Sequence, residues 1–289
     1  MTTYLLLIAV VVIWGSYPAL VKVALRDMPP FTLAALRCTL ASALLLGLLW
    51  RETGAGEPIL TRGDLPGLII LGLTGITLST GTFYLAIHWT TASNAAILTA
   101  TTPVFVVLGD RFVLGERLSR RRWLGVMASA VGVLLTVTRG EIRLLDARPR
   151  LGDAIALGGQ VAWATYTLYG KRVMERLSPR AATAGAYLVG TALLVPIAVV
   201  VAPAFPPARL TSLPAWGVVL FQGIVGTLSH VWYYRGVQTL GPAVTAIFMN
   251  LQPLVGMAFA TVLLSEAVSM AQGLGVILVL LGVWLTTRG

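Results

Sequence analysis

Charge is scarce in this chain. Only 11% of its 289 residues are Asp, Glu, Lys or Arg, while 57% are hydrophobic. A soluble domain carries about 25% charged residues. So few charges cannot cover a water-facing surface, which places the chain in a lipid bilayer. A single cysteine, Cys38, excludes an intramolecular disulfide and gives no metal site. Two histidines, His88 and His230, with no convergent His, Asp or Ser set, argue against an intramembrane enzyme. No cofactor or metal is expected. The eleven acids all fall in loops or at the ends of apolar runs. A small-cation antiporter needs a carboxylate at mid-span, to hold the cation and exchange it for protons. Its absence weighs against that class and removes the usual proton relay, leaving facilitated diffusion or exchange as the simpler expectation. The N-terminus has no basic region before its apolar run and no clear cleavage site, so it reads as a retained first helix.

What is present is length of apolar run. A spanning helix needs about 20 mostly apolar residues. Ten such runs are found: Tyr4–Leu25, Pro30–Trp50, Asp64–His88, Asn94–Leu114, Arg121–Thr138, Leu151–Arg172, Pro179–Ala202, Ser212–Val237, Pro242–Leu264 and Ser269–Thr287. Proline, glycine or charge clusters separate most of them. The expectation is an all-α integral membrane protein of ten transmembrane helices. The formal charge of +10 comes mostly from arginines between runs, where they orient helices, so no nucleic-acid partner is expected.

The second five runs repeat the first five. Trp14-Gly15-Ser16-Tyr17 with Lys22 recurs as Trp163-Ala164-Thr165-Tyr166 with Lys171, and Pro30 recurs as Pro179, all at an offset of 149. An offset of 150 then relates Thr77-Leu78-Ser79 to Thr227-Leu228-Ser229, Tyr84 to Tyr234, and Pro103 to Pro253. It also relates Glu116 to Glu266, Gly125 to Gly275 and Gly132 to Gly282. Matches in order over nearly the whole chain indicate duplication. The expected units are residues 1–139 and 151–289, joined by a linker at 140–150. Because five is odd, the second unit must enter from the opposite side. The two are then inverted repeats about a pseudo-two-fold axis in the membrane plane. With the N-terminus inside, inner segments hold thirteen lysines and arginines against seven outside. That bias predicts both termini in the cytoplasm, at a bacterial-type inner membrane.

The duplicated pattern resembles the drug/metabolite transporter superfamily, specifically its ten-helix, EamA-type exporters. Trp14-Gly15, Leu36-Arg37, Tyr84–Ala86 with Tyr234–Gly236, and Pro103 … Gly115-Glu116-Arg117-Leu118 with Pro253 … Ser265-Glu266 carry the resemblance. It implies a central cavity lined by the first, third, fourth, sixth, eighth and ninth helices. Within it the chain resembles exporters of amino acids, such as the YddG-like aromatic amino-acid exporters. One departure is that Ala186 stands where Arg37 would repeat.

Candidate cavity residues follow from position and type. Trp14, Tyr17, Trp163 and Tyr166 pair an aromatic with another three residues on, hence on one helix face. Interfacial anchoring explains most membrane aromatics, but Trp163 and Tyr166 fall near mid-span at 1.5 Å per residue. In the eighth run Gln222, Gly226, Ser229 and Tyr233 make a polar stripe, with His230 beside it. The matching third-run stripe is Gly72, Ile76, Ser79 and Phe83. Stripes of this kind also serve helix packing, and a lone histidine is more often a satisfied hydrogen-bonder. Asn250 and Gln252 precede Pro253, as Thr99, Thr101 and Thr102 precede Pro103. They can satisfy carbonyls freed by proline or bind the ends of a zwitterion. Both prolines are candidate hinges. Tyr84 completes the substrate-binding set. Arg37 could attract a carboxylate, snorkel or cap another helix. The second helix does not usually line the cavity in the family, which favours a structural role. Glu116 and Glu266 read as caps of the helices that follow them.

These residues predict a transporter for small neutral or zwitterionic metabolites, foremost amino acids including aromatic ones, working as a monomer or weak homo-oligomer. The alternatives are an organic-cation exporter, which lacks its mid-span acid, and a sugar-phosphate or nucleotide-sugar antiporter, which would need paired basic residues inside the bundle.

Overall fold

The structure, a computed structural model, describes residues 2–53, 60–89, 101–113, 115, 119–138, 140–141, 151–255 and 269–288. Among them all regular elements are helical and none is a strand. In hydrocarbon no water takes up free N–H and C=O groups, and a helix satisfies them within one segment. Among the described residues, six helices are long and apolar enough to cross a membrane: Thr2–Ala24, Pro30–Arg51, Arg62–His88, Pro179–Ala204, Leu213–Leu240 and Met270–Arg288. The start of the fourth expected run, the end of the ninth, most of the 140–150 linker, and Glu116 and Glu266 lie outside the described residues.

In chain order, α1 (Thr2–Gly15) and α2 (Tyr17–Ala24) form one rod with a break at Ser16, followed by α3 (Pro30–Thr53). Then come α4 (Leu65–Leu71), α5 (Ser79–Trp89), α6 (Thr102–Val113) and α7 (Arg120–Thr138). The second half holds α8 (Leu151–Val173), α9 (Pro179–Val201), α10 (Leu213–Phe221), α11 (Thr227–Leu240), α12 (Pro242–Phe248) and α13 (Met270–Arg288). Between α4 and α5, and again between α10 and α11, the helix widens into a π-helical segment, Gly72–Leu78 and Gln222–Gly226. The sequence reading did not anticipate these. They begin 150 residues apart, and each carries two glycines, the poorest α-formers after proline.

Packing between the two halves comes in matched pairs. Helix α5 lies on α8 as α11 lies on α1, and the Gly72–Leu78 segment lies on α9 as Gln222–Gly226 lies on α3. Helix α6 meets α8 as α12 meets α1, while α3 packs on α9 and α7 on α13. The α7–α13 contact is backbone on backbone. A Cβ added at Gly125 would lie 2.7 Å from the Gly282 carbonyl oxygen, and one at Gly275 would lie 2.7 Å from that of Gly132. Thr136 and Thr286 turn their hydroxyls back on their own helices, donating to Gly132 O at 2.8 Å and Gly282 O at 2.9 Å. Lipid offers a helix no hydrophobic drive to associate, so small residues that admit close van der Waals contact do that work. Ser42 on α3 meets Thr191 on α9 at 2.9 Å, a residue pair separated by the repeat offset itself.

Outward-facing residues are apolar: Leu5, Ile8, Val12, Leu46, Val199, Val200 and Leu280 are exposed. Polar side chains such as Thr77, Gln222, Ser229 and Asn250 are buried. Arg209 pairs with Asp27 at 3.1 Å, and His88 meets Phe205 edge-on at 6.0 Å. Elsewhere, Arg176 approaches Asp64 at 3.7 Å.

Candidate functional site

A block of rings fills the meeting point of α1, α8 and α11. Trp14 and Trp163, 149 residues apart in sequence, touch edge to face with centroids 5.3 Å apart. His230 lies 4.8 Å from Trp14 and 5.7 Å from Trp163, and Tyr233 lies 5.3 Å from both. Their i, i+3 spacing on α11 aims both at the same partners. Each such pair is worth about 0.5–1.5 kcal/mol beyond area burial, so the block is stiff. Trp163 remains half-buried and the others are buried.

Polar edges of the block tie it to the second π segment. Trp14 Nε1 donates to Ser229 Oγ at 2.6 Å, and Ser229 Oγ donates to Gly226 O at 2.6 Å. His230 Nδ1 lies 2.9 Å from Gly226 O and 3.2 Å from the Tyr187 hydroxyl. Thr227 donates to Gly223 O at 2.6 Å. A π segment breaks the i→i−4 ladder, and the carbonyls this frees are taken by Ser229, Thr227 and His230. Tyr233 shares a 2.9 Å hydrogen bond with Thr167.

Tyr17 and Tyr166 also play matching parts. The Tyr17 hydroxyl lies against Gly226 and the Tyr166 ring against Gly75, one glycine in each π segment, and a Cβ at either would overlap the tyrosine. Tyr166 stacks on Tyr234 at 4.5 Å. Among the described residues neither the Tyr17 nor the Tyr166 hydroxyl has a partner in hydrogen-bond geometry, although both are buried. Leaving such a group unsatisfied costs about 1–3 kcal/mol.

Tyr84 lies to one side, its hydroxyl donating to Gln222 Oε1. Arg37 sits 5.7 Å from the centre of the Tyr84 ring and donates from Nη2 to Thr80 Oγ1 at 2.8 Å. An arginine at the centre of a spanning helix costs about 2.5–3.5 kcal/mol to insert. Sequence reasoning left Arg37, Gln222, Tyr187 and Tyr234 out of the site. The signal for Arg37 was the broken repeat at Ala186; that for Gln222 was its place in the eighth-run stripe.

Other candidates lie elsewhere. Asn250 Nδ2 donates to Ser129 Oγ at 2.8 Å, tying the turn after α12 to α7. Gln252 Nε2 lies 3.4 Å from Met249 Sδ. Ser79 opens α5 and Thr101 precedes α6, both half-buried. Pro103 is the second residue of α6. Pro253 follows a 3-10 turn at Met249–Leu251, so the chain narrows just ahead of it. Among the described residues no three His, Cys, Asp or Glu side chains gather to hold a metal.

A cavity of about 220 Å³ opens at one end of the bundle, lined by Asp110, Arg122, Lys171 and the turn Gln238–Val244. Gly241 forms that turn at φ +86°, a conformation open essentially to glycine alone. One turn deeper along α6, α8 and α12, the apolar residues Val106, Leu168, Ala164 and Ala246 close together.

The EamA-like transporter family matches residues 1–138 and again residues 150–288. A protein of Archaeoglobus fulgidus described as an uncharacterized transporter is 32% identical over 287 residues, covering 99% of this chain and 97% of that protein. The Bacillus subtilis uncharacterized transporter YyaM is 27% identical, covering 99% and 93%. The Escherichia coli uncharacterized inner membrane transporter YedA is 25% identical, covering 98% and 90%. A solved structure at 20% identity has a TM-score of 0.78, covers 99% of this chain and 96% of its own, and shares the fold.

Proposed function

This chain belongs to the EamA-like transporter family and is a membrane transporter; we propose that it exports small neutral or zwitterionic metabolites, foremost amino acids including aromatic ones. In this reading two inverted five-helix units, ten crossings in all, rock about a site at their junction and open it to each face in turn. One observation carries it: Trp14 and Trp163, the same residue in the two repeats, meet at 5.3 Å in the middle of the bundle. A residue touches its own copy only on a two-fold axis, where an alternating-access site belongs. The Ser42–Thr191 contact and the paired α7–α13 glycines support the same axis.

The chemistry of the junction fits the substrate class. Aromatic walls stack an apolar or aromatic side chain, and hydroxyls and amides hold the polar ends. No acid touches the ring block among the described residues, so a lipophilic cation finds no counter-charge there.

Proteoliposome efflux of a panel of amino acids tests the substrate. Phenylalanine, tyrosine or tryptophan should leave loaded vesicles faster than from empty liposomes, and folded protein giving no such flux removes the proposal. The topology has its own test. Cys38 is the sole cysteine and is buried, so single cysteines at Thr3→Cys and Arg288→Cys report without background. Both should react with an impermeant maleimide from the cytoplasmic side. Labelling from opposite sides would end the inverted arrangement.

A further inference from the structure

We infer that Arg37 is the anion receptor of the transport site and that its guanidinium takes the carboxylate of the substrate. This rests on the transporter reading above and narrows its substrates to carboxylate-bearing molecules.

Arg37 is 3% exposed and arginine stays charged in any protein environment. Nη2 donates to Thr80 and the Tyr187 hydroxyl lies beside the guanidinium, while among the described residues Nε and Nη1 are buried with no partner in hydrogen-bond geometry. Among the described residues, the titratable groups near the guanidinium are Cys38, Tyr84, Tyr187, Tyr17 and His230. None is a carboxylate. Buried charges elsewhere in proteins are paired, and this one has no carboxylate beside it among the described residues.

The neighbouring open atoms are donors as well. Gln222 Nε2 is buried and unpartnered while its Oε1 is occupied by Tyr84. Among the described residues the Tyr17 hydroxyl is unpartnered too. A fixed cation, an amide N–H₂ and a phenol O–H with no spare carboxylate acceptor beside them form a site that reads negative charge. The ring block is adjoining. Tyr187 lies near Arg37 and meets His230 at 3.2 Å, and Gln222 opens the π segment whose Gly226 carbonyl takes Ser229 and His230. An aromatic acid would thus find ring walls and an anion receptor within one junction. A bare amine would meet a fixed positive charge and be refused.

The test compares acid with amide in the wild-type protein, so it does not depend on a variant folding. L-phenylalanine should leave proteoliposomes at least about tenfold faster than L-phenylalaninamide or phenethylamine. Arg37→Gln should erase that preference and Arg37→Lys should keep part of it. Equal flux of acid and amide in the wild type overturns the inference. So does an Arg37→Gln variant that loses thermal stability yet keeps the preference, because that marks a purely structural residue. Should neither compound move, the amino-acid reading fails by itself, and binding decides Arg37 separately. Phenylacetate should then raise the unfolding temperature of wild type where phenylacetamide does not, with the difference lost in Arg37→Gln. Identical responses to the two probes overturn it.

Discussion

Gly132→Val and Gly282→Val will each leave little folded, monodisperse protein, and the two losses will be of equal size. At Gly132 a Cβ would sit 2.6 Å from the Gly275 carbonyl oxygen and 2.7 Å from Val279 N. At Gly282 it would sit 2.8 Å from Ser129 N and 2.6 Å from Ser129 Cβ. These obstacles are mostly backbone, which cannot swing aside, so α7 and α13 must separate along their length. Overpacking a core costs about 1–3 kcal/mol when side chains can yield, and here the upper end is the starting point. Gly217→Val is the control, since nothing lies within 4 Å of a Cβ there; helix propensity alone should then make it neutral to mildly stabilising. Size-exclusion profiles and thermal unfolding of the three variants check this. A well-behaved Gly282→Val protein would mean that the two helices do not approach as described.

Trp163→Ala will lower flux at least about tenfold while Trp163→Phe keeps most of it. Trp163 touches Trp14, Tyr166, His230 and Tyr233, so truncation removes the centre of the ring block. Large-to-small changes of this kind cost about 3–5 kcal/mol when fully buried. Trp163 is only half-buried, which makes the stability loss smaller than that and the loss of substrate contact the main effect. Substrate-dependent quenching of tryptophan fluorescence separates the two: it should shrink in Trp163→Ala at substrate concentrations that quench wild type. Unchanged quenching and unchanged flux would take Trp163 out of the site.

Much of this arrangement could be read in the residues beforehand. The helix ends at Pro30, Pro179, Pro242 and Ser212 were legible because proline and serine mark first turns by local chemistry. The eighth-run stripe was legible because four buried positions kept one helical face: Gln222, Gly226, Ser229 and Tyr233 are all buried. The widened turns were not legible. Their carbonyls are satisfied by Thr77, Thr227, Ser229 and His230, and such residues read equally as polar lining. Asn250, a candidate from its place before Pro253, donates to Ser129 on another helix, a partner that sequence does not reveal. Arg37 was set aside because of the helix it sits on, whereas its surroundings, which only three dimensions reveal, leave its donors open.

The widened turns carry a mechanical consequence. A π segment holds one residue more than the α-helical path requires. That surplus can be passed to a neighbouring turn by exchanging one set of hydrogen bonds for the next, without melting the rod. Each residue handed along swivels everything beyond it by about 100°. Helix α11 could therefore turn His230 and Tyr233 off the tryptophans while α10 stays seated, a ratchet built from spare length instead of a flexible loop.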